Sequence, residues 1–199
     1  MKRKTAIIFM ATGIMLIVAA LSLLVYNNLE NKAAREVSDA VMDTIRTYID
    51  ESSASPTEKD PFDREMTVKM IDGYGYIGYL SVPSLDIDLP VMSEWDYERL
   101  KIAPCRYYGS TFTDNLVVAA HNYQSLFGYL GDIAKGDLVI FTDMDANVYN
   151  YKVDVIEILQ PTDVEKVKDS GDDLILYTCT YGGAERITVR CSYVTEKKK

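Results

Sequence analysis

The chain has 199 residues, 48% hydrophobic and 26% charged, with a formal net charge of −9. That length holds one folded domain plus a smaller element. The acidic balance argues against nucleic-acid binding, and one histidine with three cysteines and no CxxC argues against a structural zinc site.

Residues 6–26, AIIFMATGIMLIVAALSLLVY, carry no charge. At 1.5 Å per residue this run spans roughly 30 Å, the thickness of a bilayer core. MKRK precedes it, so the N-terminus is expected in the cytoplasm and the remainder outside, as a single-pass membrane protein. A cleaved signal peptide is the competing reading, but its apolar region is shorter and ends in a small-x-small site. With the three basic residues of MKRK inside, the outer part carries −12 (−9 minus +3).

Residues 28–53 are polar and helix-prone, with Val37, Val41, Ile45 and Ile49 at i+4 spacing and Met42 and Tyr48 beside them. The spacing predicts an amphipathic helix. SSASPTEKDPFDREM then reads as a linker. From Tyr76 the texture turns strand-like. YIGYLSVPSLDIDLPVM alternates and is broken by Pro83 and Pro90, and NLVVAAHN is a buried strand ending at His121. LVIFTDMDANVYNYKVDVIEIL is a hairpin turning at DMDAN, and DLILYTC and RITVRCSYV close the chain. Short helices are expected at residues 95–100 and 125–133. The domain division is a cytoplasmic stub and anchor over 1–27, a helical extension and linker over 28–73, and a strand-rich domain over 74–199. The fold expected is mainly β, a sandwich or barrel of short strands.

Three cysteines leave at least one unpaired. Cys105 and Cys191 bridged with Cys179 free is one reading; three free thiols is the preferred one. Cys179 ends the strand DLILYTC just before Gly182-Gly183, and His121 ends another buried strand. Two readings stand: a small core hydrophobe, or a thiolate whose neighbouring imidazole lowers its pKa and later protonates a leaving amine. Arg186 and Arg190 follow on the next strand. An arginine keeps its charge and its rigid fork of donors, as a developing oxyanion requires. Their even spacing puts both on one face.

ILYTC followed by TYGGAER resembles the sortase signature TLxTC with its downstream arginine, and LVVAAHN resembles the sortase histidine strand. The anchor, GYLSVPSLDIDLPVM and FGYLGDIAKGDLVIFTD are similar to the family as well, and the resemblance covers roughly residues 74–195. The family's initial Thr is absent, since Ile175-Leu176 stand where Thr-Leu is usual. The resemblance implies a sortase-like closed β-barrel with short helices, preceded by a transmembrane helix and an amphipathic helix. It implies a cysteine transpeptidase that cleaves an LPxTG-like sorting signal through a Cys179 thioester. The acyl group passes to an amine of a cell-wall precursor or a pilin lysine. Cys179, His121 and Arg186 are the expected catalytic residues. Thr178, Tyr181, Asn122 and Arg190 are the expected substrate contacts. No metal or organic cofactor is implied, and DMDAN is read as a hairpin turn rather than a calcium loop, because the distal Glu is missing. Groove loops are expected around 95–112 and 155–172, with Tyr107, Tyr108, Tyr123 and Tyr181 near the site. Asp60-Pro-Phe62 resembles the Asp-Pro-aromatic lid of pilus-building, class C-like sortases, whereas the helical extension suits class B-like ones; a plain turn opener is the alternative for the tripeptide. A membrane-anchored cysteine hydrolase would use the same Cys/His/Arg set, and a non-catalytic module would keep Cys179 as core.

Overall fold

The structure is a computed structural model and describes residues 2–54 and 65–194. The first element, α1 (Lys2–Ala54), merges the two expected helices into one of 53 residues. No proline or glycine lies between residues 14 and 54 to stop it. Its apolar part is long and hydrophobic enough to cross a membrane by length and composition, and none of that window is buried against the rest of the chain.

Nine strands follow: β1 (Lys69–Ile71), β2 (Tyr74–Val82), β3 (Ile87–Met92), β4 (Cys105–Tyr108), β5 (Leu116–Ala119), β6 (Leu138–Asp143), β7 (Val148–Leu159), β8 (Leu174–Cys179) and β9 (Arg186–Tyr193). They lie in the order β1-β2-β3-β4-β5-β8-β9-β7-β6, and pairing of β2 with β6 closes the sheet. Nine strands less the outlying β1 make an eight-stranded barrel. Closure depends on Gly78, where β2 bulges: a Cβ there would sit 2.0 Å from the Thr142 carbonyl oxygen, at a φ of +148°. Two short helices, α2 (Arg99–Ile102) and α3 (Glu165–Lys168), and two single 3-10 turns at Pro83–Leu85 and Leu130–Asp132 lie between strands. The helices expected at 95–100 and 125–133 are therefore shorter and shifted toward the C-terminus. Pro90, expected to break a strand, lies inside β3 opposite Tyr79. It is tolerated because β3 meets β4 only at Met92, so its missing N–H leaves no ladder bond unmade on that side.

Apolar side chains fill two spaces that position the site. Ile77, Leu80, Val118, Phe127, Phe141, Leu176 and Val189 pack inside the barrel. Outside it, α1 lays Val41, Ile45 and Ile49 onto Ile71, Tyr76, Met92, Cys105 and Met144. Ala34, Ser38 and Met42 complete the buried stripe of α1, while Val37 stays 45% exposed, contrary to the expected i+4 row. The row of contact drifts because 3.6 residues make a turn, so a strict four-residue step leaves the face. The turn at DMDAN joins β6 to β7, and the Asp143 carboxylate accepts from the backbone N–H of Asp145 and of Asn147, each at 2.9 Å. All three cysteines are free.

Ile45 is fully buried in the helix–barrel contact. Ile45→Ala is expected to lower unfolding stability by about 2–4 kcal/mol, and Val37→Ala by less than about 0.5 kcal/mol. Denaturant unfolding followed by fluorescence of the single tryptophan checks both; equal midpoints for the two variants would mean that α1 does not pack as described.

Candidate active site

Strands β5 and β8 are parallel neighbours with Ala119 opposite Tyr177. The pairing runs one step further, since the Ala120 N–H donates to the Tyr177 carbonyl at 3.1 Å. Two residues on, the same register sets His121 level with Cys179, on strands roughly 4.8 Å apart. Side chains alternate: Val118 and Ala120 of one strand and Leu174 and Leu176 of the other point into the barrel. Val117 and Ile175 point outward. His121 and Cys179 thus share the outward face. Antiparallel pairing of β8 with β9 puts Arg186 opposite Cys179. A thiol, an imidazole and a guanidinium meet at the ends of three adjacent strands.

They line one cavity of about 340 Å³. Trp95, Tyr97, Tyr107 and Tyr177 form an aromatic wall, with ring centroids 5.9 Å apart for Trp95–Tyr97, 5.0 Å for Trp95–Tyr107 and 6.1 Å for Tyr107–Tyr177. Pro161 and Val164 close the far side. Among the described residues, the charged groups on the lining are Lys101 and Arg186, both cationic.

Of the three thiols, Cys105 and Cys191 are buried, while Cys179 is half-buried and open to the cavity. Burial pushes the Cys105 thiol up to about 12, with Asp96 adding to the effect and Arg99 opposing it. Burial also raises Cys191. Neither is suited to form a thiolate. Burial holds the His121 imidazole below its ordinary pKa; the Lys101 cation pushes the same way and the Glu30 carboxylate opposes. The ring lies 3.9 Å, centroid to centroid, from that of Tyr123. The Arg186 guanidinium is steadied by two backbone carbonyls, those of Gly183 and Glu185, each 3.0 Å from Nη1.

Comparison with known proteins decides the family. A family model described as "Sortase domain" matches residues 80–194. The chain belongs to the sortase family. A curated relative, sortase A of Bacillus anthracis, is 29% identical over 121 residues, 58% of this chain and 57% of its own. The chain thus spans little more than half the length of that relative. Sortase C1 of Streptococcus suis is similar in structure, with 25% identity, a TM-score of 0.53, and 62% of this chain and 75% of its own covered. Sortase A of Corynebacterium diphtheriae shares the fold at 20% identity, with a TM-score of 0.56 over 91% of this chain and 98% of its own.

Within this sortase fold the expected site residues separate. The Thr178 hydroxyl faces inward, donates to the Ala120 carbonyl at 2.9 Å and ties the two strand ends together. The Asn122 Nδ2 donates to the Thr180 carbonyl at 3.2 Å, a second tie between the same segments. Tyr181 sits fully exposed at the tip of the β8–β9 turn, off the cavity lining. Arg190 shares the outward face with Arg186 but lies midway along β9, opposite Ile175. There it is held by Glu157 and Asp172, each at 2.5 Å, and donates to the Lys166 carbonyl. Asp60 and Phe62 lie outside the described residues. Trp95, Tyr97, Lys101 and Tyr177 were not singled out from sequence, although the first three fall within the expected 95–112 loop.

Lys101 is a cation beside a half-buried imidazole, so removing its charge makes the imidazolium less costly. Lys101→Met is expected to raise the His121 titration midpoint. Because His121 is the chain's one histidine, a histidine-labelled NMR titration reads it directly; a midpoint unchanged or lowered would mean that the Lys101 charge does not act on the ring.

Proposed function

We propose that this sortase is a membrane-anchored cysteine transpeptidase acting outside the cytoplasm. The observation that carries the reading is the meeting of Cys179, His121 and Arg186 on one face of three adjacent strands, around a single cavity. An LPxTG-like sorting signal, bound extended along the aromatic wall, presents its scissile carbonyl to Cys179. The thiolate attacks the carbonyl carbon, and Arg186 carries the charge that develops on oxygen. The C–N bond breaks, and His121 gives its proton to the departing amine. A thioester remains. A second amine, from a cell-wall precursor or a pilin lysine, attacks the thioester carbon and returns its proton to His121. Cys179 leaves as thiolate, so bonds and protons balance over the cycle.

Support for Cys179 as nucleophile comes from contrast among the thiols: it alone is open to a cavity, and a cationic neighbour sits opposite it across the β8–β9 pair. Support for acyl transfer over simple binding comes from the second cation on the lining and the half-buried imidazole, a set of groups matched to an oxyanion and a leaving amine.

The test uses the full chain in detergent with fluorogenic sorting-signal peptides and triglycine, products being read by mass spectrometry. Amine-ligated product is expected from the parent protein and none from Cys179→Ala. Arg186→Lys, which keeps charge but loses the fork, is expected to reduce turnover about 10²-fold. Free acid as the sole product at high amine would replace transpeptidation with hydrolysis. Undiminished turnover in Cys179→Ala would remove the thioester route altogether.

A further inference from the structure

The loop that follows His121 is fastened to the stem of α1, just past the apolar run. The Ser125 N–H donates to the Asn31 Oδ1 at 2.9 Å, and the Ser125 hydroxyl donates to the Asn31 carbonyl at 3.1 Å. The Tyr123 hydroxyl donates to the Glu30 carboxylate, which also accepts from the Tyr26 hydroxyl. The other side of Tyr123 is its ring, which packs on the His121 imidazole at 37°. The loop has no slack: the Phe127 N–H donates back to the His121 carbonyl at 3.3 Å and the Leu126 N–H to the Tyr123 carbonyl at 2.9 Å. Glu30, Tyr123 and His121 therefore form a line from the anchor helix to the cavity. None of these contacts is needed to close the barrel, whose β5–β8 pairing is complete without them.

We propose that Glu30 and Tyr123 are a positioning pair that holds the His121 imidazole and couples it to the stem of the membrane helix. The tyrosine fixes the ring plane. The carboxylate fixes the tyrosine and adds a negative charge on the side away from the cavity. The groups facing His121 are few. Glu30 comes from α1, Lys101 from α2 with Glu98 bonded to it at 3.0 Å, Tyr123 from the loop, Tyr177 and Cys179 from β8, and Arg186 from β9. Among the described residues, Glu30 is the anion that favours the imidazolium without an intervening cation. Neither Glu30 nor Tyr123 lines the cavity, so they act through His121. The proposal rests on the reading of His121 as the acid–base group.

The experiment uses the full chain in phospholipid nanodiscs, carrying labelled histidine and purified without a histidine tag. His121 then gives the only histidine signals, independent of any assay of turnover. Parent, Glu30→Gln, Tyr123→Phe and the double variant are titrated, and their kcat and KM are measured with the peptide and triglycine. Glu30→Gln removes an anion that favours the charged ring, so the His121 midpoint moves to lower pH. The limb of the pH–rate profile that tracks His121 moves the same way. Tyr123→Phe keeps the ring contact and loses the tie, so the His121 ring signals shift. In both, kcat falls roughly threefold to tenfold with KM unchanged. The double variant loses no more than the worse single one, because the two residues act as a unit. Glu36→Gln, exposed on the same helix, leaves the midpoint in place. Unchanged His121 titration and kcat in both single variants, or losses that multiply in the double, would overturn the proposal. Amine ligation without any movement of the His121 signals defeats the positioning pair alone. Movement of those signals in a protein that never ligates amine defeats the transpeptidase reading and leaves the pair standing.

Discussion

Everything at this site hangs on the parallel register of β5 with β8. Parallel neighbours have no turn to set their alignment, so it comes from burial. Leu116, Val118, Leu174 and Leu176 are buried inside the barrel, and a slip of one residue would turn them out and turn Val117 and Ile175 in. The cost of that exchange is the guarantee that His121 and Cys179 come out level and on the same face. The Thr178 hydroxyl then bolts the strand ends at the step where the ladder stops. Chemistry is placed where pairing has ended but register still holds.

The third group arrives by a different constraint. The β8–β9 turn is short, and its Gly182 and Gly183 both take positive φ, which lets the chain reverse tightly enough to set Arg186 against Cys179. Midway along β9 the Glu157 and Asp172 carboxylates clamp Arg190. The two arginines share a face and differ in partners: one meets carboxylates and is neutralised, the other meets carbonyls and keeps its charge for the cavity. In a chain of net charge −9, a cavity whose charged lining is cationic is a local inversion of the surface field.

How much of this was readable in the sequence follows from the range of each interaction. The strand ends at His121 and Cys179 could be read because hydrophobic runs and glycines mark them locally. Parity puts Arg186 and Arg190 on one face and so does not choose between them; only cross-strand partners give the role. Thr178 and Asn122 sit within a residue of the central pair, and the structure uses both to tie segments together at the lip of the site. Tyr107 was legible near the site, but the aromatic wall was not, because Trp95 and Tyr177 join it from a loop and another strand that only the barrel brings together. Ala34 and Ser38 escaped notice on α1 because small residues carry little hydrophobic signal, yet close packing selects them. The merging of two helices into one was foreshadowed by the absence of any breaker after Gly13, a negative sign that apolar periodicity alone does not weigh.

A continuous α1 has a mechanical consequence. Glu30 lies four residues past the apolar run, about 6 Å along the helix, whereas Ile45 lies nineteen past it, about 28 Å. The barrel is gripped at both points, by Glu30 and Asn31 through the histidine loop and by Ile45 through the outer apolar contact. Two grips roughly 20 Å apart on one rigid rod fix orientation as well as distance, which a single contact on a flexible linker cannot do. With the anchor seated in the bilayer as proposed, the histidine end of the cavity is held next to the membrane surface and the Ile45 end points away. Under the proposed function, substrate and acceptor reach the cavity at a set height above that surface. Confinement of this kind raises the effective concentration of the reacting ends without any new contact in the cavity. The helix that holds the enzyme in place is, in this geometry, also the ruler that places its chemistry.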